Sequence, residues 1–219
     1  MFELIHSLFT RIDSISTFSV LVYFLIKRPK TENAFYWFVG FILSECIFII
    51  AAETQALYSK YHHIDYNNLP LFHLASILYV INLLQFFRHL FPTKTNKVID
   101  IIFLISFGFL SIFNFIYLTR TFTIYGLTSI WVVIKCMFYY SHEFTNPTKS
   151  DILKSKIFWV VSGLFLYFSV CFFVFITYDY ITFNPKATRI LDIIPTWLIQ
   201  NCVSTLSCGF FIKAIKCKE

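Results

Sequence analysis

Glu45 and Lys135 are ionisable side chains inside long apolar runs, and they are the first places in this chain where chemistry would be expected. A charge at bilayer depth is costly, so such residues mark proton, ion or switch sites. Glu45 lies twelve residues past Asn33. At 1.5 Å per residue that is about 18 Å, close to the midplane of a hydrocarbon layer about 30 Å thick. Lys135 lies nearer one end of its own run. A Glu45–Lys135 pair would lower the cost of burying both and would open when a ligand or proton displaced it. Otherwise Glu45 is protonated and hydrogen-bonded, and Lys135 snorkels toward the headgroups.

A second polar set comprises His73, Asn82 and Gln85, then Asn114, then Gln200, Asn201, Ser204 and Thr205. Asn82, Gln85 and His89 follow at three and four residues and share one helical face. Asn201, Ser204, Thr205 and Cys208 form a small, polar stripe of the kind that lets helices approach closely and hydrogen-bond. Either packing or ligand binding accounts for it. The segment with Tyr58, Tyr61, His62, His63, Asp65 and Tyr66 has a metal-capable composition, but adjacent histidines rarely converge on one ion, so it reads as a solvated loop. The six cysteines lie within or at the ends of apolar runs, with no clamp spacing, and read as small apolar side chains. No His, Asp and Glu trio and no nucleophile with a nearby base is visible. The expected site therefore holds no catalytic residue, metal or cofactor. A retinal-type lysine is also missing between Leu198 and Phe211.

The elements that must position these residues follow from composition. Of 219 residues, 58% are hydrophobic and only 14% charged, against about 25% charged in soluble domains. Seven runs approach the length of about 20 residues that a helix needs to cross a bilayer: 5–26, 34–52, 71–90, 98–118, 122–140, 157–176 and 190–215. The first and last are the weaker, interrupted by Asp13, Ser14 and Ser16, and by Asp192, Gln200 and Asn201. The longest connection is 54–70, so no soluble domain is expected. Arg11 and Asp13 break the first run, which reads as a helix and not as a signal peptide.

Lys and Arg set the orientation. The segments around Lys27, Arg88, Lys149 and Lys213 carry twelve of them, and those around Lys60, Arg120 and Lys186 carry four. Rich and poor segments alternate strictly. The predicted fold is an all-α, seven-span bundle with the N-terminus outside and the C-terminus cytoplasmic. The net charge of +6 is a topology signal, and no basic stripe or finger points to nucleic acid.

The run Phe158, Trp159, Val160, Val161, Ser162, Gly163, Leu164, Phe165, Leu166, Tyr167, Phe168, Ser169, with Phe172 and Phe175, resembles the sixth helix of a family of small bacterial seven-helix membrane proteins associated with two-component sensor histidine kinases. Trp197, Ile199, Asn201 and the ending Phe210, Phe211, Ile212, Lys213 agree, as do Leu71–Leu74 and the Tyr139, Tyr140 pair. The likeness to seven-helix sensory modules of kinases and cyclases is looser. Where the family often has an acid in helix three, this chain has Tyr79 and Asn82. Physically, Trp159 suits an interface where its N–H stays wet, and Ser162 with Gly163 lets a neighbouring helix approach.

The resemblance implies a non-enzymatic protein of a bacterial inner membrane that senses an apolar or membrane-borne cue. It would relay that cue to a separate membrane signalling partner such as a sensor kinase. A small-solute transporter or channel with a site among Glu45, Asn82, Gln85 and Asn201 is the alternative, and a structural subunit of a membrane complex the third reading. Scarce Gly, and Pro195 alone inside a run, do not signal the broken helices of many transporters.

Overall fold

A computed structural model describes residues 2–27, 33–62, 69–91, 94–117, 121–146, 151–183 and 196–217. Among them are seven α-helices: α1 (Phe2–Lys27), α2 (Asn33–His62), α3 (Leu69–Leu90), α4 (Lys94–Tyr117), α5 (Thr121–Thr145), α6 (Lys156–Phe183) and α7 (Thr196–Lys216). A single 3₁₀ turn, Ile152–Lys154, precedes α6, and no strand occurs among the described residues.

Among the described residues, four helices are long and apolar enough to cross a membrane: α2, α4 over Asn96–Phe113, α6 over Lys156–Thr177 and α7 over Leu198–Lys216. The chain is a membrane protein. Its exposed surface agrees, because Ile105, Phe109 and Ile112 on α4 are 68%, 69% and 65% exposed, and Ile47, Ile50, Phe173 and Ile176 are also exposed. In water a face of this kind invites association; in lipid it is the ordinary outer surface.

The helix ends correct several expected boundaries. α2 does not stop at residue 52 but runs to His62, so Tyr58, Tyr61 and His62 lie on an exposed helix and not in a loop. The physical reason is that 53–62 contains neither Gly nor Pro, so nothing breaks the backbone ladder when the chain leaves its apolar stretch. Tyr58 and Tyr61 instead pack their rings against His62, at 4.3 and 5.1 Å between centroids. His63, Asp65 and Tyr66 lie outside the described residues, as do positions 190–195 of the expected last run. Likewise α4 begins earlier than expected, at Lys94, and α5 and α6 extend to Thr145 and Phe183.

The chain forms two compact units, Thr31–Ile124 and Met1–Lys30 with Tyr125–Glu219. In the first, α2 and α3 pack antiparallel: Phe38 meets Phe86 at 6.4 Å between ring centroids, and Phe41 meets Tyr79 edge-on at 5.4 Å. Phe35, Phe38, Phe86 and Phe87 are almost completely buried. Lipid tails are as apolar as these rings, so the gain on packing is dispersion and shape fit, not escape from water. α4 runs antiparallel to α3, and two contacts tie its start to the end of α3. Asn96 Nδ2 donates to the Phe91 carbonyl at 2.7 Å, and Arg88 Nε lies 3.7 Å from Asp100 Oδ2.

In the second unit α6 runs antiparallel to both α5 and α7. Tyr140 donates to Ser162 Oγ at 2.9 Å while Tyr125 meets Phe175 at 5.0 Å, and Trp159 stacks on Phe210 at 5.7 Å. α1 packs parallel to α7, since Thr17 pairs with Cys208 and Tyr23 with Lys216 in the same chain direction.

Candidate functional site

The parallel contact of α1 and α7 carries the densest set of buried polar groups whose bonding is incomplete. Asp13 hydrogen-bonds to Ser204 through its carboxylate. One turn further along both helices, Thr17 Oγ1 and Cys208 Sγ are 4.0 Å apart. Thr17, 3% exposed, also donates to the Asp13 carbonyl at 3.2 Å. The spacings explain the seam: Asp13, Thr17 and Val20 recur at four and three residues on α1, Ser204 and Cys208 stand four apart on α7, and small side chains let the two backbones close in.

Two acceptors of this seam lack a donor. Asp13 Oδ1 and Gln200 Oε1 are buried without a hydrogen-bond partner among the described residues. Gln200 stands one turn before Ser204, hence on the same face of α7. Ser207 Oγ, one turn after Ser204, is a third buried atom in that condition. A buried polar atom left unpaired costs about 1–3 kcal/mol, and more when charged. A carboxylate oxygen, an amide carbonyl and hydroxyls are hard oxygen donors, a set that takes a proton or a small cation.

The sequence marks Asp13 only as a polar interruption and Ser204 only as part of a stripe. The available signal is a carboxylate one helical turn before Thr17 inside an otherwise apolar run, with a partner 191 residues away in the chain. Asp100, Arg88 and Asn96 likewise carry no signal as a set in the sequence. Asp100 is fully buried, whereas the Arg88 side chain is 42% exposed.

The expected site residues are distributed as follows. Asn82 joins Gly40 and Ser44: its Nδ2 donates to Ser44 Oγ at 3.1 Å and to the Leu78 carbonyl at 2.8 Å, and Ser44 Oγ donates to the Gly40 carbonyl at 2.8 Å. Both amide hydrogens and the serine hydrogen are therefore used. Glu45, half-buried, is the next residue on α2, while Gln85 is half-buried one turn along α3. His73 is separate, more than two turns before Asn82, with Nε2 buried and without a hydrogen-bond partner among the described residues.

Lys135 does not snorkel. Its side chain is fully buried, with Nζ 5.7 Å from the Trp131 ring centre one turn away, where the π-face offsets part of the lost hydration. Glu45 belongs to the unit Thr31–Ile124 and Lys135 to the other.

On α6, Trp159 corrects the expectation of a wet indole: Nε1 donates to the Leu153 carbonyl at 2.7 Å, because the 3₁₀ turn places that carbonyl beside the first turn of α6. Ser162 accepts from Tyr140 and donates to the Phe158 carbonyl at 2.7 Å. A Cβ on Gly163 would meet Phe211 Cδ1 at 2.9 Å, so α6 and α7 touch there through the missing side chain. Tyr167 packs edge-on against Phe168 at 5.0 Å, and Ser169 is half-buried. Asn201 contributes its carbonyl to Thr205 Oγ1 at 2.9 Å. No disulfide joins the six cysteines among the described residues.

No family model matches the chain, and no curated protein and no solved structure matches it.

Proposed function

We propose that this protein is a non-enzymatic, seven-span component of a bacterial inner membrane that binds a proton or small cation at the α1–α7 seam and relays its occupancy to a separate signalling partner. One observation carries the reading: Asp13 Oδ1 and Gln200 Oε1, two acceptors without donors among the described residues, flank Ser204 in the α1–α7 seam. A cationic occupant fits this oxygen-lined place better than the apolar cue the sequence alone implies. Occupancy would favour the α1–α7 packing that presents both acceptors, and a ligand shifts an equilibrium by its difference in affinity for the two states.

Helix directions support the odd number of spans, since α1 runs parallel to α7 while α5, α6 and α7 alternate. An N-terminus outside and a C-terminus in the cytoplasm would bring the lysine-rich ends to a partner such as a sensor kinase.

The experiment is thermal unfolding of the purified protein in detergent, from pH 5 to 8 and with Na⁺, K⁺ or choline. The wild type should show a melting temperature that depends on pH or on one cation, and Asp13→Asn should not. Equal responses of the two proteins would end the cation-sensing reading. A transporter using the same oxygens is the second reading, favoured by the same seam. It predicts cation flux into proteoliposomes that Asp13→Asn abolishes, whereas a relay component carries none.

A further inference from the structure

At the end where α1 and α7 finish, three ammonium groups gather on aromatic rings. Lys27 Nζ, in the last turn of α1, is 5.9 Å from the centre of the Tyr23 ring, and Lys216 Nζ, in the last turn of α7, is 5.8 Å from the centre of that same ring. Lys213 Nζ is 5.7 Å from the Trp159 ring. All three lysines are exposed, and none pairs with a carboxylate among the described residues. One acid at this end is already engaged: Asp151 Oδ2 pairs with Lys154 at 3.1 Å, and its side chain also accepts from the Leu153 amide at 3.1 Å.

Two like charges brought to one ring repel each other, and the ring face repays only about 0.5–1 kcal/mol per exposed contact. An anion between them would reverse that balance. The place is the end of apolar helices, with Tyr23 and Trp159 as the amphipathic rings that settle at headgroup depth. Trp159 is also held by its bond to Leu153, and Cys217 Sγ lies 4.0 Å from the same carbonyl, so the end of α7 is seated on the 3₁₀ turn.

We infer that Lys27, Lys213 and Lys216, framed by Tyr23 and Trp159, bind the phosphate of an anionic phospholipid headgroup and thereby clamp the end of α1 to the end of α7. A lipid is favoured over a free anion because the cations top an apolar surface on which acyl chains lie. Each lysine near an anionic surface contributes about fivefold in affinity, so removing two lowers retention roughly 25-fold.

The test is native mass spectrometry of the full chain from detergent, titrated with phosphatidylglycerol or phosphatidylcholine, with and without inorganic phosphate. Wild type should keep phosphatidylglycerol selectively. The Lys27→Gln/Lys216→Gln protein should lose it, Lys60→Gln on α2 should not, and inorganic phosphate should compete poorly. The lysines are exposed, so the variants fold, which circular dichroism and an unchanged wild-type oligomer size verify. Equal retention by wild type and the double variant, no preference over phosphatidylcholine, or full displacement by inorganic phosphate would each overturn the lipid site.

Discussion

The carboxamide of Asn82 lies directly over Gly40: a Cβ at Gly40 would stand 3.2 Å from Asn82 Cγ and would strike Oδ1. Two helices thus meet where one has no side chain and the other has a polar one whose hydrogens are all used. That contact leads to the first prediction. Gly40→Ala should destabilise the protein by about 1–3 kcal/mol through overpacking. Combining it with Asn82→Ala should cost less than the sum of the two single changes, because the clash vanishes with the amide. Urea or thermal unfolding in detergent gives the coupling energy, and strict additivity would refute the contact.

The same logic applies to Gly163 and Phe211 between α6 and α7. Gly163→Ala should be destabilising, and Phe211→Leu should partly rescue it by removing the ring edge that a new methyl would meet. Melting temperatures of the four proteins decide this. Failure of rescue would mean that the helices separate to accommodate the methyl.

Arg88 and Asp100 differ in exposure, and the difference sets the order of their effects. Asp100 is fully buried, so Arg88→Met leaves a buried carboxylate without this counter-charge and should be the most harmful change. The double variant Arg88→Met/Asp100→Asn should be more stable than Arg88→Met alone, because a neutral amide is cheaper to bury than a carboxylate. Stability of the three variants, measured at two salt concentrations, checks the order.

Asp13→Asn should raise stability while removing the response to pH or cations. The amide stays neutral and brings hydrogens of its own, which relieves an acceptor that now has no donor. For a chain of this size the melting temperature should rise roughly 2–4 °C for each kcal/mol gained. Sites that hold incomplete bonding for a ligand trade stability for function in this way. A destabilised Asp13→Asn protein would refute the idea that Oδ1 is a burden in the unliganded state.

Seven spans predict a definite topology. Reporter fusions or cysteine labelling after residues 30, 94, 150 and 217 should place those points on the cytoplasmic side. Insertions near residues 65, 120 and 187 should be outside. Any two consecutive connections on one side would refute the seven-span reading.

What the sequence by itself determined is the helical, membrane-borne character of the chain. Both are local constraints: a segment in lipid must satisfy its backbone internally, and a span must match the bilayer thickness, so composition and run length suffice. The extension of α2 to His62 escaped because hydropathy marks where the lipid ends, not where the backbone ladder ends. What only the tertiary structure decided is which faces meet. In a water-soluble helix the polar side shows itself by contrast with the core, but here Phe38, buried, and Ile47, exposed, are equally apolar, so periodicity carries little signal. The pairing of Asp13 with Ser204, the burial of Asp100 and the convergence of Lys27 and Lys216 on Tyr23 depend on fit between segments up to 191 residues apart. That fit belongs to no single segment.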